Sequence, residues 1–349
     1  MAPLDWAIVG VYLVGTLAVG LWLSRRASGG VVDFFVGGRA LPWWLAGTSM
    51  AATTFSVDTP LYVTGLVARI GIAGNWEWWA FALSHLLLIY IFARMWRRAE
   101  VVTDAEMTEI RYGGKPAAVL RATRAFLFSV PINCIAIGYV MLAMRKVIEA
   151  LGLFGGVGEA LPGDQRLWIV VALSAFVLVY AGLAGLWGVV ATDFFQFALA
   201  MIGALLVAGF AIADVGGVME LKRQLVEIGR SDALRMVPRP GSPDLPMGTF
   251  LAYLGIQWWA WRRSDGGGEF VQRMSAARTE ADAEKAAWLF NILHYVVRAW
   301  PWILVALVAI VVFPNLEDPE MGYPLLMLEY LPVGALGLVV ASFVAAFMS

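Results

Sequence analysis

A bilayer core satisfies no backbone hydrogen bonds, so a broken membrane span survives only where its freed N–H and C=O groups face protein or a ligand. This chain of 349 residues carries about nine long apolar stretches, and two of them are interrupted by polar or helix-weakening sequence. The first interruption is Gly47–Thr59, GTSMAATTFSVDT; the second is Gly255–Gly268, GIQWWAWRRSDGGG. Broken helices at corresponding places in two halves of a membrane protein point to a solute and ion site near the midplane. Transport is the functional class these residues favour first.

The chain is 60% hydrophobic and 15% charged, whereas soluble domains carry roughly 25% charged residues. It reads as an all-α integral membrane protein. A formal net charge of −1 and the lack of a basic tract give no support to nucleic-acid binding. The single cysteine, Cys134, and both histidines, His85 and His294, fall inside apolar spans, with no thiol or carboxylate at metal-ligand spacing. No nucleophile–base constellation suggests an enzyme. The N-terminus lacks a basic n-region and a cleavage site, so it is expected to be a retained first span.

Spanning takes about 20 apolar residues at 1.5 Å each. That measure places helices near 5–24, 42–68, 76–98, 117–144, 166–184, 188–213, 248–280 (broken), 283–313 and 333–349. Arginines gather after the first and third spans, among them Arg25, Arg26, Arg39, Arg94, Arg97 and Arg98, while the loop between spans two and three offers only Arg69. The positive-inside rule then puts the N-terminus outside and loops 25–41 and 99–116 in the cytoplasm of a cell (inner) membrane protein. The last span closes on VASFVAAFMS with no flanking charge, which reads as a C-terminally truncated or continuing chain.

Five segments carry a family resemblance. DFFVGGRALPWW (Asp33–Trp44) resembles the cytoplasmic approach to the first broken helix of the sodium:solute symporter family, and GTSMAATTFS resembles the break itself. DAEMTEIRYG (Asp104–Gly113) is similar to that family's cytoplasmic helix ending in E-x-R-aromatic-G. GLAGLWGVVATDFFQ (Gly182–Gln196) is similar to the entry to a core helix, and VQRMSAARTEADAEKA (Val271–Ala286) to the end of the second broken helix. Together, and in the family's order, they imply a LeuT-type fold of five plus five inverted helices after one extra helix. On that map a single transmembrane domain comprises the extra helix and cytoplasmic loop at 1–41, a first repeat at 42–213 and part of a second at 248–349.

The resemblance implies sodium as coupling ion and maps its ligands to the backbone carbonyls of Ala52 and Phe55, with Ala346 and Ser349 opposite. Ser56 adds a hydroxyl at the break, as does Thr54. The alternative for such hydroxyls is back-bonding to their own helix carbonyls. Asp58 is an intramembrane carboxylate, functional by default. Asp193, early in the sixth span, is either a step on sodium's path to the cytoplasm or a helix N-terminal acid favoured by the macrodipole.

For the solute, the resemblance suggests Trp258 and Trp259 as stacking aromatics beside the second break, the alternative being an interfacial belt. Glu77 in NWEWW corresponds to an acid that accepts hydroxyl bonds in sugar-binding members, or is an interfacial acid at a helix start. Arg298 lies where relatives carry a cation, on one helical face with His294. Arg262 and Arg263 depart from the family pattern. They need either the local acids Asp265, Glu269 and Asp58 or an anionic solute held in bidentate fashion. The expected function is sodium-coupled uptake of a small polar solute, sugar or sugar-like and possibly acidic. The alternative is a solute-sensing membrane module of the same fold attached to a signalling domain.

Overall fold

The computed structural model describes residues 1–27, 29–152, 165–260 and 265–348, and among these it is helical with no extended strand. Helix α1 (Pro3–Ala27) has 25 residues, which rise about 38 Å at 1.5 Å each and exceed the roughly 30 Å hydrocarbon core. The second expected span is two helices, α2 (Trp43–Thr53) and α3 (Asp58–Ile70). Then follow α4 (Ile72–Ala99), the short α5 (Asp104–Tyr112) and α6 (Gly114–Ala150). Five helical segments among the described residues are long and apolar enough to cross a membrane.

The spans expected at 166–184 and 188–213 are two helical segments that meet at Gly185 without a loop, labelled together α7 (Gln165–Asp214). Gly185 alone turns the chain there, at φ 57 and ψ −176. A side chain would be strained in that conformation, so no separate loop is needed. Beyond it come α8 (Val218–Glu227), α9 over 247–260, α10 (Gly267–Ala276), α11 (Glu280–Val312), α12 (Gly322–Tyr330) and α13 (Ala335–Met348). Among the described residues the second expected interruption shows at Asp265 and Gly266, just before α10, with Gly266 at φ 115.

Among the described residues four helices carry a π-helical turn, at Leu88–Phe92, Phe128–Ile132, Tyr253–Gln257 and Ile292–Val297. Pro131 explains one of them, because it has no N–H to give to the α-helical ladder. A π turn inserts an extra residue and re-aims the side chains after it.

The core lies where α11 packs against α2, α3 and α7, with α13 between α1 and α7. Gly47 lets α2 touch α11 at backbone distance: a Cβ there would stand 2.6 Å from the Ala286 carbonyl oxygen. Small residues at such contacts are how membrane helices gain close packing. Across the α1–α13 contact, Asp5 Oδ1 accepts the N–H groups of Gly334 and Gly337 at 2.7 and 2.9 Å. It thus caps the start of another helix. Asp5→Ala is expected to cost about 1–2 kcal/mol, as a lost N-cap does, read as a lower melting temperature of the purified protein.

Candidate functional site

Between Thr53 and Asp58 the backbone leaves the α-helix. The Phe55 N–H reaches back to the Ala52 carbonyl at 2.8 Å, and the Thr59 N–H to the Ser56 carbonyl at 3.0 Å. The Thr54 N–H also turns toward the Ala52 and Met50 carbonyls. Thr53 and Thr54 do back-bond, Thr53 to the Ser49 carbonyl at 2.9 Å and Thr54 to those of Met50 and Ala51 at 3.1 and 3.0 Å. Ser56 behaves differently and donates to the Asp58 carboxylate. Phe55 packs its ring on Trp302, centroids 5.2 Å apart. Ala346 is buried on α13, and Ser349 lies outside the described residues.

Arg298 enters this break from α11. Its own N–H bonds to the Leu293 carbonyl at 3.1 Å, five residues back, which marks the end of the π turn. That register turns His294, Tyr295 and Arg298 toward α2 and α4. Arg298 is fully buried. Nη1 donates to the Ala51 carbonyl at 3.0 Å and to Thr54 Oγ1 at 3.1 Å, and the guanidinium carbon stands 5.5 Å from the Trp302 ring centroid. Among the described residues Nε has no hydrogen-bond partner. His294 meets Thr54 Oγ1 through Nδ1 at 3.0 Å and Arg298 Nη2 through Nε2 at 3.3 Å. Tyr295 stacks on Trp78 with centroids 5.9 Å apart, and its hydroxyl is 2.8 Å from His85 Nδ1. The break is thus lined by hydroxyls, carbonyls, one cation and a layer of aromatic and imidazole rings.

One turn toward the other end of α2 lies a buried ionic cluster. Ser49 Oγ donates to Asp193 Oδ2 at 2.5 Å and accepts from Arg273 Nε at 2.8 Å. Arg273 Nη2 donates to Thr53 Oγ1 at 2.6 Å and reaches Asp193 Oδ2 at 3.4 Å. Ser49, Asp193 and Arg273, from α2, α7 and α10, are buried. Asp193 stands eight residues beyond the Gly185 bend, whereas macrodipole effects fade within the first turn. Its environment is set by Arg273 and Ser49.

The remaining candidates scatter around this centre. Glu77 is half-buried at the start of α4, and its backbone carbonyl accepts from Gln257 Nε2 at 2.8 Å, tying α9 to α4. Trp258 is half-buried and Trp259 is 68% exposed. Arg262 and Arg263 lie outside the described residues. Asp265, one of their expected counter-ions, accepts the Gly267 N–H at 3.2 Å, and its carbonyl accepts Trp96 Nε1 at 2.6 Å. Sequence reasoning missed Trp78, Tyr295, His85 and Arg273 as site residues. Arg273 sits within a motif quoted for the resemblance, but no spacing rule pairs it with an aspartate 80 positions away.

Comparison with known proteins supplies the context. A model of the sodium:solute symporter family matches residues 34–349. The mouse (Mus musculus) sodium/myo-inositol cotransporter 2 is 27% identical over 381 residues, covering 100% of this chain and 54% of the relative. A sodium/glucose cotransporter of Vibrio parahaemolyticus is 25% identical over 373 residues, covering 99% of this chain and 65% of its own length. A Na+-coupled sialic acid symporter, solved in a substrate-bound outward-open state, superposes with a TM-score of 0.77 at 20% identity, over 99% of this chain and 70% of that one. At that identity the likeness shows the LeuT-type fold. The chain spans 54% of the first of these curated relatives and 65% of the second.

Proposed function

The chain belongs to the sodium:solute symporter family, and from that premise we propose that it serves sodium-coupled uptake of a small polar solute by alternating access. The family consists of multi-pass membrane transporters, not enzymes. The observation that carries the proposal is the interrupted helix at 54–57, beside which a fully buried Arg298 binds the Ala51 carbonyl and the Thr54 hydroxyl.

The residues present suit a sodium ion in kind. Neutral oxygens satisfy a hard cation, and the break offers carbonyls and hydroxyls of that kind. Ala52, Phe55, Ser56, Ala346 and Ser349 are the proposed ligands. Sodium would favour one arrangement of the break only by its differential affinity for it, and solute binding would then bias closure. Asp193 is proposed as sodium's next oxygen toward the cytoplasm, where it would compete with Arg273. For the solute we propose a sugar-like, possibly acidic molecule. The named relatives handle myo-inositol, glucose and sialic acid, and Thr54, Asp58, Glu77, Trp258, Trp259 and Arg298 offer hydroxyl, carboxylate, aromatic and cationic partners. Arg262 and Arg263 are proposed as further contacts for an anionic group.

The proposed orientation has the N-terminus outside, with the first repeat at 42–213 and part of the second at 248–349. It is supported by Arg98 Nη2, 2.7 Å from Glu280. That pair puts the arginine-rich end of α4 beside the start of α11, on one side of the membrane. Lys146 pairs with Asp318 at 2.8 Å near the far end of α11.

The test is uptake by the full-length gene product in proteoliposomes, with labelled glucose, myo-inositol and sialic acid as probes. An inward sodium gradient is expected to drive accumulation of at least one of them, and an equal potassium gradient to drive none. Sodium-dependent binding without accumulation would favour the sensing alternative. The absence of both binding and accumulation for every probe would sink the reading.

A further inference from the structure

We infer that the turn Pro319–Met321 is a latch on the first broken span: it seats on α3, Lys146 of α6 fastens it, and it has to lift before α3 can part from α6. The inference rests on the alternating-access reading, in which the two halves of that span move.

Local sequence builds the turn so that two carboxylates point the same way. Pro319 fixes φ at the start of a single 3₁₀ turn. Asp318 Oδ1 accepts the Glu320 N–H at 3.1 Å, and the Met321 N–H reaches the Asp318 carbonyl at 3.0 Å. Asp318 Oδ2 then accepts from Lys146 Nζ at 2.8 Å, and Glu320 Oε2 accepts from the same ammonium at 2.6 Å. One lysine at the end of α6 thus holds two residues of the turn.

The seat on α3 and α11 depends on two glycines. A Cβ on Gly65 would stand 2.9 Å from Glu320 Cγ, so the glutamate stem lies flat against α3. A Cβ on Gly322 would stand 2.9 Å from Ala309 Cβ of α11 and 3.4 Å from Thr64 Cγ2 of α3. The turn is therefore wedged among α3, α6 and α11, and Thr64 beneath it is fully buried. Further charged groups share the place. Arg69 nitrogens lie 3.4 and 3.6 Å from the same Gly65 position, and Asp58, at the start of α3, is within electrostatic reach of both Glu320 and Arg298. Latch and break have that carboxylate in common.

The fastening can be undone. The side chains of Lys146, Asp318 and Glu320 are 29%, 42% and 23% exposed, so water can take over their hydrogen bonds, and pairs this exposed hold weakly. A shallow wedge closed by such pairs suits a contact that opens in every cycle.

Thr64→Cys, close in size to the native residue and covered by the turn, reports lifting. The measurement is its modification by a charged thiol reagent in full-length protein in nanodiscs, with native cysteines replaced, Cys134→Ala among them. Lys146→Met removes both pairs while keeping the stem, and labelling should become about tenfold faster, the combined effect of two half-exposed pairs. Glu320→Gln removes one pair, keeps its stem on Gly65 and should give about threefold. Ser275→Cys, fully buried on α10, is the control, and Lys146→Met should leave its labelling unchanged. No acceleration at Thr64→Cys overturns the latch. Equal acceleration at both cysteines overturns it too, since the whole protein would then have loosened. Uptake of glucose, myo-inositol and sialic acid by the same preparations separates this inference from the reading beneath it. Faster Thr64→Cys labelling with no uptake of any probe removes the transport reading and leaves the latch; sodium-driven uptake with unaltered labelling does the reverse.

Discussion

Asp193→Ala should destabilise the protein by about 3–5 kcal/mol, the range for breaking a buried ion pair from one side. Arg273 would keep its charge with 4% of its surface exposed and would lose the carboxylate it pairs with. Ser49 would lose the acceptor of its 2.5 Å bond at the same time. Adding Arg273→Met removes the stranded cation and should recover most of the loss, because a well-packed apolar pair can replace an ion pair at little cost. Thermal unfolding in nanodiscs of wild type, both single variants and the double variant checks this. Additive losses, with no recovery in the double variant, would show that the pair is not coupled. The same cluster joins α2, α7 and α10, so a looser α2 should follow in the single variants.

Much of this architecture could be read in the sequence because lipid punishes exposed backbone. GTSMAATTFSVDT and GIQWWAWRRSDGGG stood out against apolar surroundings; the first holds a break between two helices, and the second ends in non-helical Asp265 and Gly266 before α10. The bend at Gly185 was legible as a boundary but not as a bend, because only the φ of that glycine distinguishes it from a loop. The π turns left no such trace. Except at Pro131, no residue type announces an inserted residue, and His294 with Arg298 already looked like an ordinary i, i+4 pair. That is why Tyr295 and Trp78 were missed: the extra residue brings Tyr295 inward, and Trp78 is met only across helices. Arg273 was invisible for a related reason. A charge in an amphipathic stretch reads as a solvated face until another helix supplies its partner.

Arg298→Met should move stability and function in opposite directions. Unlike Arg273, Arg298 has no carboxylate among its hydrogen-bond partners, which are the Ala51 carbonyl, Thr54 and His294. Burying a guanidinium on such partners costs more desolvation than neutral hydrogen bonds return, so an apolar chain of similar length should hold or raise the melting temperature. The Ala51 carbonyl would still receive the Thr54 hydroxyl at 3.0 Å, so no acceptor is orphaned there. Sodium-dependent uptake should nevertheless fall roughly tenfold to a hundredfold, the worth of one or two hydrogen bonds to a charged group. Arg298→Lys should not rescue it, because a compact ammonium cannot span Ala51, Thr54 and His294 while lying over Trp302. A marked drop in melting temperature for Arg298→Met would show that the cation holds the fold together. Preserved uptake would remove it from the site.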